Sequence, residues 1–494
     1  MTVGTSLADL LVSRGAGPDG YVRLDVEPAG WISLAEGCAQ GLHDLSALWA
    51  DGGTIRMALS DGERRLRAIV SLPSEAGAYP SVGARHAPAI RLERAMRDLY
   101  GVQPQGLPDA RPWLDHGRWP GRESDARYGF LQVEGEGLHQ IAVGPVHAGI
   151  IEPGHFRFTA NGETIARLEE RLGYVHKGVE RLMAGTDVAA ASRVAGRISG
   201  DSTVAYGWAF ARAVELALGW QVPARAVALR AVMAELERLA HHINDIGAIC
   251  NDASVLAINA LCTLRREDVL ATARACFGHR LMMDRVVPGG VATDLPTDGA
   301  AAIRDLLSRM EDTRRETLRV YDSLPSLQDR TVTTGIVTPE LVRRFAAGGY
   351  VGRAVGRAFD ARKNFAYAPY DSLDFALVTH SAGDVDARLM VRMDEIVESV
   401  AILRQLLDRL VPGPVQADPP SLRAGEGAAL VEAFRGDVFI TVRLGGDGRV
   451  AHVHARDASW FQWPLLEAAI EGNIVADFPL CNKSFNCSYS GHDL

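Results

Sequence analysis

Apolar residues in the first hundred positions of this chain recur in short bursts, not in long helical stripes. TIRMALS (54–60) and RLRAIVSLP (65–73) read as strands, and IRLERAMRDLYGV (90–102) has the spacing of one amphipathic helix. Together they predict a compact α+β unit. GRWPGRESDARYGFLQVEGEG (117–137) then breaks the pattern, rich in Gly and charge and without periodicity. The expected division is an α+β domain over 1–120, a linker over 121–136 and a mainly helical domain with small β-hairpins over 137–494. In the last part, HFRFTANGETIARLE (155–169) alternates about Asn161-Gly162, a strong hairpin signal. Val232, Leu236, Leu239, Ile243, Ile246 and Ile249 then recur at helical spacing behind Pro223, which suits a first turn. Further helices are predicted at Leu261–Met283, Gly299–Asp322 and Asp384–Leu410. A hairpin over 437–455 closes at Gly445-Gly446-Asp447-Gly448.

Composition narrows the class. With 494 residues, 47% hydrophobic and 23% charged, the chain is an ordinary globular protein with ample core. A net charge of −9 argues against nucleic acid as a partner. No apolar run reaches about 18 residues, so no spanning helix is expected, and the N-terminus lacks signal-peptide features. The six cysteines, scattered and without a paired framework, fit a reducing compartment. No Gly-rich dinucleotide fingerprint or cysteine cluster marks a cofactor held by this chain.

One stretch carries unusual chemistry. In RISGDSTVAYGWAFARAVE (197–215), Ser199 and Ser202 stand three apart at a turn before a helix, where two cysteines would chelate a metal. RLERAMRDLYGVQPQGLPDARPWL (91–114) resembles a hydrophilic subunit of respiratory complex I. GPVHAGIIEPGHFRF, GYVHKGVERLM, ELERLAHHINDIGAICND, FGHRLMMDRVVPGGV, GRAVGRAFDARKNFAYAPY and VTHSAGDVDARLMVRMDE resemble, in order, its neighbouring subunit and the related [NiFe]-hydrogenase large subunits. Fusion of the two parts is similar to the large subunit of formate-hydrogenlyase-type, energy-converting hydrogenases.

The resemblance implies residue roles. Hydrogenases hold nickel and iron with two Cys-x-x-Cys pairs, whose soft thiolates suit that centre. The first pair falls on Ser199 and Ser202. The second is placed at Cys487 and Ser490 in SFNCSYSGHDL, which leaves one thiolate of four and no nickel site. The chain ends at Leu494 with no tail to be clipped in maturation, which agrees with that loss. Cys481 and Cys487 are expected to be inert buried thiols. Glu152 matches a proton-transferring glutamate of hydrogenases and a quinone-facing histidine of complex I. At the edge of a low-dielectric cavity it would pass protons near neutrality; the plainer reading is a salt-bridged carboxylate. Asp252 matches an aspartate that supports that histidine. His147 and His155 flank Glu152, and Tyr206 and Phe210 lie near the quinone tyrosine, with Ser199 and Ser202 lining the same cavity. His241 and Asp245 form an i,i+4 polar pair. Arg197, Arg353, Asp360 and Arg362 are placed at the border with a partner carrying an iron–sulfur cluster.

Two functions follow from the resemblance. In the first, the chain is a peripheral oxidoreductase subunit on the cytoplasmic face of the inner membrane. It takes electrons from an iron–sulfur small subunit toward a quinone, coupled to ion-translocating membrane subunits. In the second, it is a redox-silent scaffold joining the cluster subunit to the ion-pumping arm. Residual hydrogenase activity is the remaining alternative. An open cavity favours the first and a filled one the second.

Overall fold

A computed structural model describes residues 6–11, 20–74, 76–119, 128–149 and 151–494. In the N-terminal part a four-stranded sheet runs in the order Val22–Asp25, Leu66–Pro73, Thr54–Asp61, Asp44–Asp51. Val22 pairs in parallel with Ala68, and the other neighbours are antiparallel. Helices Pro28–Ala39 and Ile90–Tyr100 complete this unit, the second ending at Gly101, whose φ of 72° is the left-handed cap a glycine adopts without strain. Both predicted strands and the predicted helix are present.

The proposed linker lies only partly within the described residues. Residues 121–127 fall outside them, while 128–136 are tied down. The Tyr128 hydroxyl accepts from Arg94 at 2.8 Å, and the Leu131 amide donates to Glu169 at 2.7 Å.

Beyond it, the Asn161-Gly162 hairpin forms as His155–Asn161 and Thr164–Arg171, and Leu138–Val143 adds a third antiparallel strand. The helical body comprises Thr203–Leu218, Ala224–Asp252, Leu256–Phe277, Gly299–Asp322 and Val385–Asp408. Pro223 sits one position before its helix, at the N-cap. The third helix starts and stops earlier than the sequence pattern suggests, because Gly278 at φ 76° caps it through its N–H to Arg274 O. The predicted C-terminal hairpin, Gly436–Leu444 with Val450–Arg456, is joined by Gly425–Ala433, a strand the pattern did not reveal. Helix Thr203–Leu218 lies against this sheet so closely that a Cβ on Gly427 would strike the helix backbone at Ala213.

The hydrophobic cores do not follow the division read from the sequence. Ala47, Trp49, Ala58 and Ile69 of the N-terminal sheet pack into the same core as the helical body. Trp49 stacks on His454 at 5.2 Å and meets Phe439 at 5.6 Å. Polar contacts seal the seam: Arg443 pairs with Asp51, and Arg456 donates to Ser46 O.

Candidate functional site

Ser199 is extended (φ −140°, ψ 119°) and leads into the single turn Gly200–Ser202, which opens helix Thr203–Leu218. The C-terminal segment 487–491 folds back onto this turn. Ser199 Oγ lies 2.9 Å from Ser488 Oγ, and both serines are buried. Gly491 N donates to Ser488 Oγ at 2.9 Å, so Ser488 and Gly491 form a second pair with the three-residue spacing of Ser199 and Ser202. This corrects the register read from the sequence by one residue. Cys487 points away, its Sγ 4.0 Å from Gln462 Oε1, and burial pushes its thiol well above the usual range. Ser490, though buried, turns to Glu152 instead, its amide and hydroxyl both donating to that carboxylate.

A guanidinium bridges the two segments. Arg435, in the turn between strands Gly425–Ala433 and Gly436–Leu444, forms a two-pronged ion pair with Asp201 (2.9 and 2.5 Å) and reaches Ser202 Oγ at 3.4 Å. Its Nε donates to the Asn486 carbonyl beside the second pair. Burial acts to raise the pKa of Asp201, but Arg435 overrides it and holds that carboxyl well below the usual range. Tyr206, one turn into the helix, donates to Asp457 Oδ2 at 2.6 Å. Burial, reinforced by Asp457, raises its pKa well above normal, so the phenol stays a neutral donor. Asp457 in turn accepts the Ser459 amide at 2.8 Å, and a Cβ on Gly491 would meet its Oδ2 at 2.7 Å. His241 stacks on Phe434 at 4.5 Å, with its pKa lowered to about 4 chiefly by burial.

This set does not fit a nickel–iron centre. Its four paired positions offer three hydroxyls and a glycine, hard donors or none, and a fixed positive charge lies among them. Among the described residues no group of three or more His, Cys, Asp or Glu is arranged to hold a metal ion.

The other sequence-predicted residues scatter. Glu152 is at the rim, accepting from Ser490 N at 3.2 Å and Ser490 Oγ at 3.3 Å, but it is exposed, so the low-dielectric setting argued for it is absent in this chain. His147 and His155 bond to backbone oxygens of their own loop, Gly154 O and Gly144 O. Asp252 stands eleven residues past His241 on one helix, an axial rise of about 16 Å. Its own neighbours are Asn251 and Lys483. Phe210 is fully buried in the hydrophobic core and lines no polar space. Asp245 is held by Arg392 (3.2 Å) and Asn486 (2.9 Å).

The assignment of charged residues to a partner border is corrected for three of the four. Arg197 is on the surface, paired with Asp284 at 2.6 Å. Arg353, Asp360 and Arg362 are buried inside the chain and cannot face a partner. Arg353 binds Glu395 at 2.5 Å and Glu432 at 2.9 Å, while Arg362 binds Asp360 at 2.7 Å and Glu235 at 2.8 Å.

Comparison with known proteins matches both halves of the chain. Residues 252–424 match the family described as respiratory-chain NADH dehydrogenase, 49 Kd subunit, and residues 33–126 match the 30 Kd subunit. Formate hydrogenlyase subunit 5 of Escherichia coli (strain K12) is 31% identical over 449 residues, covering 84% of this chain and 77% of the relative. The chain belongs to the fused complex I and hydrogenase large-subunit family. The carbon monoxide-induced hydrogenase of Rhodospirillum rubrum is 31% identical over 70% of this chain and 97% of the relative. An NADH-quinone oxidoreductase subunit of Phocaeicola vulgatus is 28% identical over 79% of this chain and 82% of its own length. Among solved structures, a chain of the membrane-bound sulfane sulfur reductase, an archaeal respiratory membrane complex, superposes with a TM-score of 0.69 at 26% identity. That match covers 73% of this chain and 99% of that one. The solved relative is thus a chain of a respiratory membrane complex. No described helix is long and apolar enough to cross a membrane.

Sequence reasoning missed Asp201, Arg435, Asp457 and Ser488. The signal for Arg435 was available: an arginine before a glycine, between two apolar strands in VEAFRGDVF, is a charge placed at a turn.

Proposed function

We propose that this chain is a nickel-free peripheral subunit that joins an iron–sulfur partner to ion-translocating membrane subunits on the cytoplasmic face of the inner membrane, with its former metal site turned into a structural joint. The observation that carries this reading is Arg435, which spans from Asp201 and Ser202 to Asn486 where a metal would have held the same two segments. The hydroxyls left by the lost thiolates are bonded to one another and to this ion pair, so they are committed to structure. Burying such polar groups is tolerable only when they are satisfied, and here they are.

A second reading has one observation in its favour. Glu152 is exposed next to the site, beside Ile151, itself an exposed apolar side chain, and from there a carboxylate can serve a quinone held against a partner. The intact complex separates the two. With its cluster chemically reduced, electron transfer to decylubiquinone is measured in wild type, Glu152→Gln and Tyr206→Phe. The joint reading expects both variants to match wild type; loss of transfer in Glu152→Gln with the cluster still reducible would replace it with the quinone reading.

A further inference from the structure

Helices Ala224–Asp252 and Val385–Asp408 and the end of strand Gly425–Ala433 enclose an ionic cluster whose members are all exposed by 3% or less. Arg362 pairs with Asp360 at 2.7 Å and with Glu235 at 2.8 Å, and Arg238 lies 3.4 Å from Glu235. Arg353 alone serves the other two carboxylates, Glu395 at 2.5 Å and Glu432 at 2.9 Å, and stands 3.6 Å from Asp360. Four carboxylates therefore meet three guanidiniums. With His242 neutral, the cluster would bury one uncompensated negative charge, and a buried group in that position takes up a proton instead.

Guanidiniums stay charged, so the proton must sit on a carboxyl or on His242. Glu235 accepts from Arg362, Tyr370 and Ser399, and Asp360 accepts the Arg362 amide and side chain, which commits both as anions. His242 Nε2 lies 2.6 Å from Glu395 Oε2, but its Nδ1 is buried without a partner. An imidazolium would thus bury an unanswered N–H. Burial lowers the pKa of His242, while Arg353 holds Glu395 well below the usual range against its own burial. Glu432 remains, bonded only by Arg353 and the Ala361 amide, and burial followed by the charge of Asp360 raises its pKa to about 7.

Charges on the surrounding elements are committed elsewhere. Arg456 takes Asp437, Arg392 takes Asp245, and Arg435 takes Asp201. Arg67 and Arg212 sit over the Phe365 and Tyr367 rings. Glu237 turns to the Val204 and Ala205 amides, and burial keeps Tyr367 and Tyr370 neutral.

We propose that this cluster is a binding site for one exchangeable proton, carried by Glu432 in the group centred on Arg353. The proton converts the Glu432 carboxylate to the neutral acid and brings the cluster to zero net charge.

The test uses the full chain and infrared difference spectra between pH 5 and pH 9, which bracket the Glu432 transition. Wild type should show the carbonyl stretch of a protonated carboxyl that is lost in Glu432→Gln, a loss of one protonated carboxyl per chain. Glu395→Gln removes a different negative charge from the same count, so Glu432 should be ionised already at pH 5 and the same band should vanish. That variant decides the matter if Glu432→Gln fails to fold. Histidine-labelled wild type should show neutral His242 by nitrogen NMR at both pH values. Spectra unchanged in the variants, or an imidazolium at His242 with no carboxyl band lost in Glu432→Gln, would overturn the proposal.

Discussion

Ser199 Oγ and Ser488 Oγ, 289 residues apart in the chain, lie 2.9 Å from each other. The two segments that hold a metal in hydrogenases thus still meet, but through a hydroxyl–hydroxyl bond reinforced by Arg435 and Asp201. On the proposed reading, these contacts hold the joint closed in place of the missing thiolates.

Nickel should not return when thiolates do. Ser199→Cys, Ser202→Cys and Ser488→Cys together still leave Gly491, where a side chain would meet Asp457 Oδ2 at 2.7 Å and Ser488 Oγ at 2.9 Å. They also leave the Arg435 guanidinium in place. Elemental analysis of wild type and of the triple variant should find nickel far below one per chain. Stoichiometric nickel in either would refute the assignment of the site.

Removing the bridge should loosen the joint. Asp201 keeps 34% of its side chain exposed, so Arg435→Met is expected to cost about 2 kcal/mol, less than for a fully buried pair. Its acid dependence has a defined sign. The folded pKa of Asp201 is depressed, so its contribution is complete above the unfolded value of about 3.9 and is lost progressively as pH falls from there through the lower folded value. Urea unfolding at pH 7 and pH 3 should show a difference between wild type and Arg435→Met that shrinks at the lower pH.

Glu237 should act in the opposite direction. It accepts the Val204 and Ala205 amides at the start of helix Thr203–Leu218, and burial raises its pKa to about 8. A raised folded pKa gives stability that is complete below the unfolded value of about 4.3 and drains away as pH rises through about 8. Between pH 5 and pH 9, Glu237→Gln should lose less stability than wild type in denaturant titrations. An equal loss would assign the pH dependence to other groups.

Arg353 offers a test of burial against interface. With Glu395 and Glu432 as partners and only 1% of its side chain exposed, Arg353→Met should cost about 3–5 kcal/mol by leaving buried carboxylates uncompensated. Affinity for partner subunits, measured at a temperature where the variant is folded, should be unchanged. A weakened partner with intact stability would return Arg353 to an interface.

Local patterns were legible where one element decided them. Helix Gly299–Asp322 matched to the residue, and the Asn161-Gly162 hairpin needed only its own turn. The centre was half legible. The Ser199–Ser202 spacing announced one pair, but the second depends on which face of a short C-terminal turn meets it, and Cys487 drew attention away from Ser488. Arg353, Asp360 and Arg362 misled for a related reason. A charge in an apolar segment signals either a partner or a buried network, and only the neighbouring Glu235, Glu395 and Glu432, distant in sequence, distinguish them.

The seam between the first sheet and the last one has a consequence for how the protein is made. Asp51 and Arg443 are 392 residues apart, yet they pair at 2.6 Å beside the stack of Trp49 on His454. At a synthesis rate of about 5–20 residues per second, the N-terminal sheet emerges about 20–80 s before its cover. Throughout that interval the face bearing Ala47, Trp49, Ala58 and Ile69 stands bare on the ribosome, an apolar strand surface open to any passing chain. Fusing the two units into one polypeptide keeps the matching surface tethered nearby once it emerges, so that closure becomes an intramolecular event set by loop length and not by the concentration of a separate subunit.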